Sequence, residues 1–337
     1  MGRRWADNLK MISRNHIRAV TSLVWLVTAR CILTCPHCYA YMYRNDKELS
    51  KIEKLTLAEQ IGKAGIDHVC ITGGEPFLLE ELEDIVRKLK DYDIDITVFT
   101  SGVIVNEDRI KILQKYDTYF YVSVDGDPQT HNKIRNNTWN SLEKFLNILK
   151  NNGIPFGTCM AISKLNYDKT GSYVETVIKY EPDAICVIPV MPSGRALENN
   201  IYVDIPHLKT ALALLDDKCR EYGIKVRVWC LPCLRAYTSS PNLISGSCRG
   251  WDVIDISPGG RLLICDILNV EVCSWSIDKS FEELLHYYKN SELYRRSRTI
   301  PEECIHCMFV DLCRGGCFAR SYIKYGIFER KDPLCPL

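Results

Sequence analysis

Three cysteines, Cys31, Cys35 and Cys38, stand in the spacing C-x3-C-x2-C. Thiolates at such intervals let one loop wrap around a cube of iron and sulfide, and three ligands for four irons leave one iron open to an outside molecule. A closed zinc site wants four ligands instead, and His37 would complete one. A second group fills the C-terminal part: Cys248, Cys265, Cys304, Cys307, Cys313, Cys317 and Cys335, with C-x2-C-x5-C-x3-C over residues 304–317. Cysteine accounts for 17 of the 337 residues, an odd number that cannot all pair within one chain. Arg3 and Arg4 are followed by Asp7, Asn8 and Lys10, where an export signal would need an apolar stretch. The expected setting is therefore cytoplasmic, with reduced thiols that serve as metal ligands.

Those thiols need a scaffold. Short apolar runs at 22–28, 67–72, 94–100, 118–124, 155–162 and 184–190 read as strands, and helical patterns such as 79–90, 106–116, 140–151 and 173–180 lie between them. Six β-then-α units imply a parallel sheet with right-handed crossovers. Six are fewer than a closed eight-fold barrel needs, so the expectation is an α/β fold, a partial (β/α)6 TIM-like barrel with its site at the C-terminal ends of the strands. The segment 192–205 ends the alternation; a helix at 207–222 and a strand at 224–229 lead to the cysteine-dense tail. There Ser257-Pro258-Gly259-Gly260 predicts a hairpin turn. The organisation reads as a 1–21 extension, a 22–195 barrel, a 196–247 bridging region and a 248–337 tail.

The first cysteine loop follows the first strand, and the second strand ends in Thr72-Gly73-Gly74-Glu75-Pro76. Together, in this order, the two motifs resemble the radical S-adenosylmethionine (SAM) enzymes. The resemblance implies a [4Fe–4S] cluster held by Cys31, Cys35 and Cys38, with SAM on the open iron. Reductive cleavage would yield a 5′-deoxyadenosyl radical that takes a hydrogen atom from the substrate. It further implies that Gly73, Gly74 and Glu75 meet the methionyl amino group. Ser101 of Thr100-Ser101-Gly102, Ser123, Asp125 and Arg135 are implied as SAM contacts, with Ile162 and Asn166 on the adenine side. Core packing is the plainer reading of Ile162, and a solvated loop charge that of Arg135.

In the tail, eleven residues separate Cys248 from Gly260 and four separate Gly260 from Cys265. With 304–317 and Cys335 this resembles the SPASM domain, a C-terminal extension that holds two auxiliary [4Fe–4S] clusters. The resemblance assigns Cys304, Cys307, Cys313 and Cys335 to an outer cluster, and Cys248, Cys265 and Cys317 to an inner one. The inner set is one ligand short; Cys230, Cys233 or a substrate donor would close it. Asp266, next to Cys265, stands where anaerobic sulfatase-maturating enzymes carry an Asp that takes a substrate proton, general-base work; the plainer reading is a turn cap or a partner for Arg261. Cys70, Cys159 and Cys186 lie in apolar runs and read as small core hydrophobes.

The expected function is an oxygen-sensitive radical SAM oxidoreductase that modifies a peptide or protein side chain, similar to peptide and protein maturases. The alternative is a small-molecule cofactor pathway, in haem or quinone-cofactor biosynthesis; a non-catalytic iron–sulfur electron carrier is more distant. The implied electron donor is a low-potential ferredoxin or flavodoxin. Residues 1–21 are too few for a folded peptide-recognition domain, so a separate protein would serve that purpose. With 43 Lys+Arg against 42 Asp+Glu, the chain lacks the basic surplus that nucleic acid or an anionic membrane would want. The apolar run 22–27 is too short to span a bilayer.

Overall fold

The structure, a computed structural model, describes residues 21–337, so nearly all of the 1–21 extension lies outside the described residues. Six strands appear within one residue of the apolar runs that announced them: β1 (Thr21–Thr28), β2 (His68–Gly73), β3 (Asp95–Thr100), β4 (Tyr119–Ser123), β5 (Phe156–Ile162) and β6 (Ala184–Pro189). Each pairs in parallel with the next. The helices that follow them are Lys51–Lys63, Leu82–Lys90, Glu107–Lys115, Trp139–Asn151, Thr170–Val177 and Ile205–Tyr222. The chain is thus α/β, with the partial TIM-like barrel expected.

Helix periodicity explains the outer layer. In Leu82–Lys90 the side chains of Leu82, Ile85, Val86 and Leu89 recur at three- and four-residue steps and are all fully buried. Each contributes roughly 1.5–3 kcal/mol as an upper figure for area removed from water. They pack on Val69, Ile71, Ile96 and Val98 in the main core. Helix Lys51–Lys63 had no clear stripe in the sequence, yet Ser50 and Glu53 close a reciprocal capping box at its start.

The sheet runs past six strands on both sides. On one edge β7 (Val226–Val228) and β8 (Leu243–Ile244) continue the parallel order. On the other, β9 (Asp252–Ile256), from the cysteine-dense tail, pairs in parallel with β1, from Thr21↔Asp252 to Trp25↔Ile256. The anticipated hairpin then joins β9 to β10 (Arg261–Leu263), and β11 (Glu271–Ser274) closes the edge, giving the order β11-β10-β9-β1-β2-β3-β4-β5-β6-β7-β8. Gly260 takes φ +80 at the turn, a conformation glycine adopts without steric cost. Among the described residues no helix is long and apolar enough to cross a membrane.

Candidate active site

The loop that carries Cys31, Cys35 and Cys38 leaves the end of β1. Its start is held by the Glu48 carboxylate, which accepts hydrogen bonds from Thr28 Oγ1 (2.9 Å) and the Ala29 amide (2.8 Å). The buried Lys54 ammonium lies 3.8 Å from Glu48 and 3.0 Å from Glu81. Across from this loop, the Gly74 amide donates to the Thr28 carbonyl (2.7 Å) and the Glu75 amide to that of Arg30 (2.8 Å). The approach is so close that a Cβ on Gly73 would run into the Thr28 carbonyl and one on Gly74 into that of Arg30. Gly73 also has φ +140.

Glu75 is fully buried and its carboxylate is saturated. It accepts from Thr100 Oγ1 (2.8 Å), the Phe77 amide (3.2 Å), the Ser101 amide (2.8 Å) and Ser101 Oγ (2.5 Å). Glu75 and Ser101 therefore brace the ends of β2 and β3 against each other, and what 73–75 offers a ligand is backbone.

Asp125, just past β4, is fully buried and accepts from Arg135 Nε (2.6 Å) and the Ala161 amide (2.9 Å). Burial opposes its ionisation, but the charge and hydrogen bond of Arg135, with smaller contributions from His37 and His131, together outweigh it and hold the carboxyl at about 2. Arg135 is thus no solvated loop charge: its side chain is 11% exposed and its charge reaches Cys35 and Cys38. His37 sets Nε2 3.7 Å from Asp125 Oδ2 and 3.5 Å from Arg135 Nη2. Burial pushes it down to about 4, so it is neutral, and its buried Nδ1 has no hydrogen-bond partner. Ser123 ends β4 half-buried. Asn166 donates to the Asp125 and Ala161 carbonyls (3.2 and 3.1 Å), which fixes the turn after β5. Ile162 is fully buried in the main core.

The tail meets the loop directly. Ser193 Oγ donates to the Ile267 carbonyl (2.7 Å), and the Arg195 amide to that of Cys38 (3.1 Å). Tyr43 donates its hydroxyl to the Asp266 carbonyl, while the Tyr39 hydroxyl stands against the Asp266 carboxylate. Ligand atoms of Asp255, Cys265 and Asp266 all lie within 4.8 Å of one another. The Asp266 amide donates to Asp255 Oδ2 (2.6 Å), and Asp255 Oδ1 is buried without a partner. Burial raises both carboxyls, and for Asp255 the neighbouring Asp266 charge adds to it, so a proton resides on the pair more readily than on an ordinary carboxylate. Asp255 escaped sequence reasoning, although an acid inside the apolar run Val253–Ile256 was the available signal. Arg261 pairs with Asp46 (2.5 Å), not with Asp266.

The ten cysteines singled out in the sequence gather in three places. Cys31, Cys35 and Cys38 share one loop, with Cys31 exposed. Cys304, Cys307, Cys313 and Cys335 line one cavity of about 140 Å³, beside Glu303 and Lys331. Of Cys248, Cys265 and Cys317, the charge of Cys317 reaches each of the other two. Cys159 and Cys186 are buried beside Tyr119 and Tyr121, as core residues should be. Cys70 instead is only half-buried, and the charges of Asp266 and Asp255 reach it.

This donor set fits iron–sulfur clusters and SAM. Burial raises the pKa of Cys248 and Cys313 to about 12. Grouped thiols so reluctant to ionise become thiolates when a metal cation coordinates them. The close-packed glycines at 73–74 abut the start of the loop that carries the first group, and His37, with its orphaned Nδ1, lies within that loop.

Comparison with known proteins agrees with this geometry. Residues 25–177 match the radical SAM superfamily. The chain is 23% identical to an AdoMet-dependent heme synthase of Oleidesulfovibrio alaskensis, over 98% of this chain and 90% of that protein. It is also 23% identical to a PqqA peptide cyclase of Bradyrhizobium diazoefficiens, over 92% and 84%. Streptococcus suis SuiB, solved with its precursor peptide SuiA, superposes with a TM-score of 0.74 at 17% identity, covering 98% of this chain and 79% of that one. The thiol loop, the glycine cradle and the matched segment coincide: residues 25–177 carry a radical SAM domain, the mark of enzymes whose cofactors are a [4Fe–4S] cluster and SAM.

Proposed function

We propose that the chain is a SPASM-type maturase that oxidises or cross-links a side chain of a peptide or protein. Cys31, Cys35 and Cys38 would hold the SAM cluster, and the two tail groups would hold auxiliary clusters. When bound, the cluster and SAM supply a 5′-deoxyadenosyl radical that abstracts a hydrogen atom from substrate carbon.

This chain's own residues do the rest. The 73–75 backbone and the buried Asp125–Arg135 pair would hold SAM beside the loop, with Ser101 bracing Glu75 and Ser123 at the neighbouring strand end. Tyr39 and Tyr43 pack with Leu26, Ala40 and Leu263 beside Cys38 and would keep water from that side of the reacting centre. Asp266 would take the proton that the substrate radical releases on oxidation, the electron acceptor being the auxiliary cluster that the neighbouring inner thiols would hold.

The observation that carries this reading is the position of Asp266, against Tyr39 of the first loop and adjoining Cys265 of the inner thiol group. A base at that junction suits an oxidation in which hydrogen atom, proton and electron leave separately. The relatives named as peptide cyclases and the neighbour solved with a precursor peptide favour a peptide substrate. A second reading, oxidation of a small-molecule cofactor precursor, rests on the relative named as a heme synthase, which matches 98% of this chain.

The test is anaerobic. The reconstituted chain, reduced by a low-potential ferredoxin or flavodoxin, should form 5′-deoxyadenosine from SAM. Candidate peptides and porphyrins are then compared for substrate-dependent stimulation. A fully loaded protein that forms no 5′-deoxyadenosine refutes the proposal, and stimulation by a porphyrin alone selects the second reading.

A further inference from the structure

We infer that Cys230 is the fourth thiolate of the inner group, completing Cys248, Cys265 and Cys317 as a four-ligand site; this rests on the reading of the tail as a holder of two auxiliary clusters. The outer group already has four thiols around one cavity. The inner group has three from the tail motif, so one donor is missing for a closed cube.

Cys230 lies on the turn directly after β7, where the Trp229 amide is anchored on the Val187 carbonyl (2.8 Å). That turn sets Cys230 in the left-handed region, at φ +52. It is the one cysteine among the described non-glycine residues with positive φ; the others are Asp, Asn, Glu and Arg. Asn and Asp tolerate this conformation because their side chains can hydrogen-bond locally, a compensation cysteine lacks. Its thiol forms no hydrogen bond among the described contacts, and the charges that reach it are led by Cys248 and Cys317, followed by Arg320 and Asp266. A strained backbone that aims an otherwise unsatisfied thiol at two others is the expected form of a ligand turn.

Cys233, three residues on, behaves differently. Its thiol donates to the Leu334 carbonyl (3.7 Å), it is 1% exposed, and the thiols that reach it are Cys313 and Cys335 of the complete outer group. It is a satisfied structural thiol. With Cys230 in place the inner site has no open iron, so substrate is held by protein contacts and not by an iron–substrate bond.

The test uses the full chain, reconstituted anaerobically with iron and sulfide. Parent protein should carry about twelve irons. C230A should carry about eight, or keep its iron with an altered inner-cluster EPR spectrum, whereas C233A should match the parent in both. In the unmutated loaded protein, iodoacetamide should leave Cys230 unlabelled and label it once iron is chelated, a reading that does not depend on how well C230A folds. Parent-like iron and EPR in C230A, or labelling of Cys230 in the loaded protein, overturns the assignment. C317A is the control: should it also keep all its iron, the inner cluster itself is absent and the tail reading fails first, taking this inference with it.

Discussion

Tyr39, the residue after Cys38, presents its hydroxyl to the carboxylate of Asp266, the residue after Cys265. One side chain thereby joins the loop proposed to hold the SAM cluster to the proposed base beside the inner thiols. Burial and the Asp266 charge both raise the Tyr39 phenol well above its ordinary value, so it remains a hydrogen-bond donor. D266N should lower product formation by about 100-fold or more, the scale of lost general-base catalysis, and leave SAM cleavage within a few-fold of the parent. Y39F should fall between D266N and the parent. Parallel quantification of 5′-deoxyadenosine and product checks both; equal loss of the two would remove Asp266 from the proton step.

Asp125 and Arg135 form a buried pair, and breaking it from one side strands a charge. R135M should cost roughly 3–5 kcal/mol of stability and weaken SAM binding. Because the folded carboxyl sits at about 2, below about 3.9 for an unfolded Asp, its stabilisation is whole above that upper value and is lost as pH falls towards the lower one. Urea titrations of metal-free chain through that window should show a shallower acid dependence for D125N than for the parent.

The glycine cradle allows a sharper test. G74A places a methyl group against the Arg30 carbonyl, where backbone rather than a yielding side chain must move. Iron bound through the first loop and SAM affinity should both fall, with iron in the tail unchanged. Site-resolved Mössbauer spectra and equilibrium dialysis with SAM measure the two.

Arg249 is 2% exposed and has no carboxylate partner among the described residues. Its guanidinium donates to the carbonyls of Ser297 (3.0 Å), Thr299 (2.6 Å), Gly316 (3.3 Å) and Phe328 (2.7 Å), and the opposing charges that reach it are Cys317, Asp332 and Cys304. Removing metal with a chelator and oxidant lets those thiols reprotonate and withdraws part of the anionic counterpart of a buried cation, leaving Asp332. Residues 248–337 should then become the first site of tryptic cleavage, and R249M, which strands several carbonyls, should show the same sensitivity with metal bound. Limited proteolysis with mass spectrometry reads both.

Local pattern made much of this molecule legible before its structure. The stripe Leu82, Ile85, Val86 and Leu89 and the alternation of apolar runs fixed the barrel units because each strand and helix advertises its own buried face. The Ser257–Gly260 turn announced its hairpin through turn chemistry. Helix Lys51–Lys63 was missed because Ile52 points outward, 71% exposed, while the apolar residues around it spread over more than one face. Glu75 was expected to meet the ligand with Gly73 and Gly74, but nothing in a Gly-Gly-Glu-Pro string reveals that its side chain is taken up by four donors, three of them on the next strand's end. Asp255, Tyr39 and Cys230 gain meaning only from residues remote in sequence, which no window of neighbours displays.

The parallel pairing of β9 with β1 has a consequence for biogenesis. Thr21 Oγ1 bonds to Asp252, a partner 231 positions downstream. During synthesis the first strand must therefore wait, one flank bare, until nearly the whole polypeptide has left the ribosome. Closing so long a span is slow in topological terms, and it exposes a sticky edge meanwhile. Production with chaperone support and slow translation should improve yield, whereas a nascent chain stalled before β9 should aggregate even though every βα unit is already present.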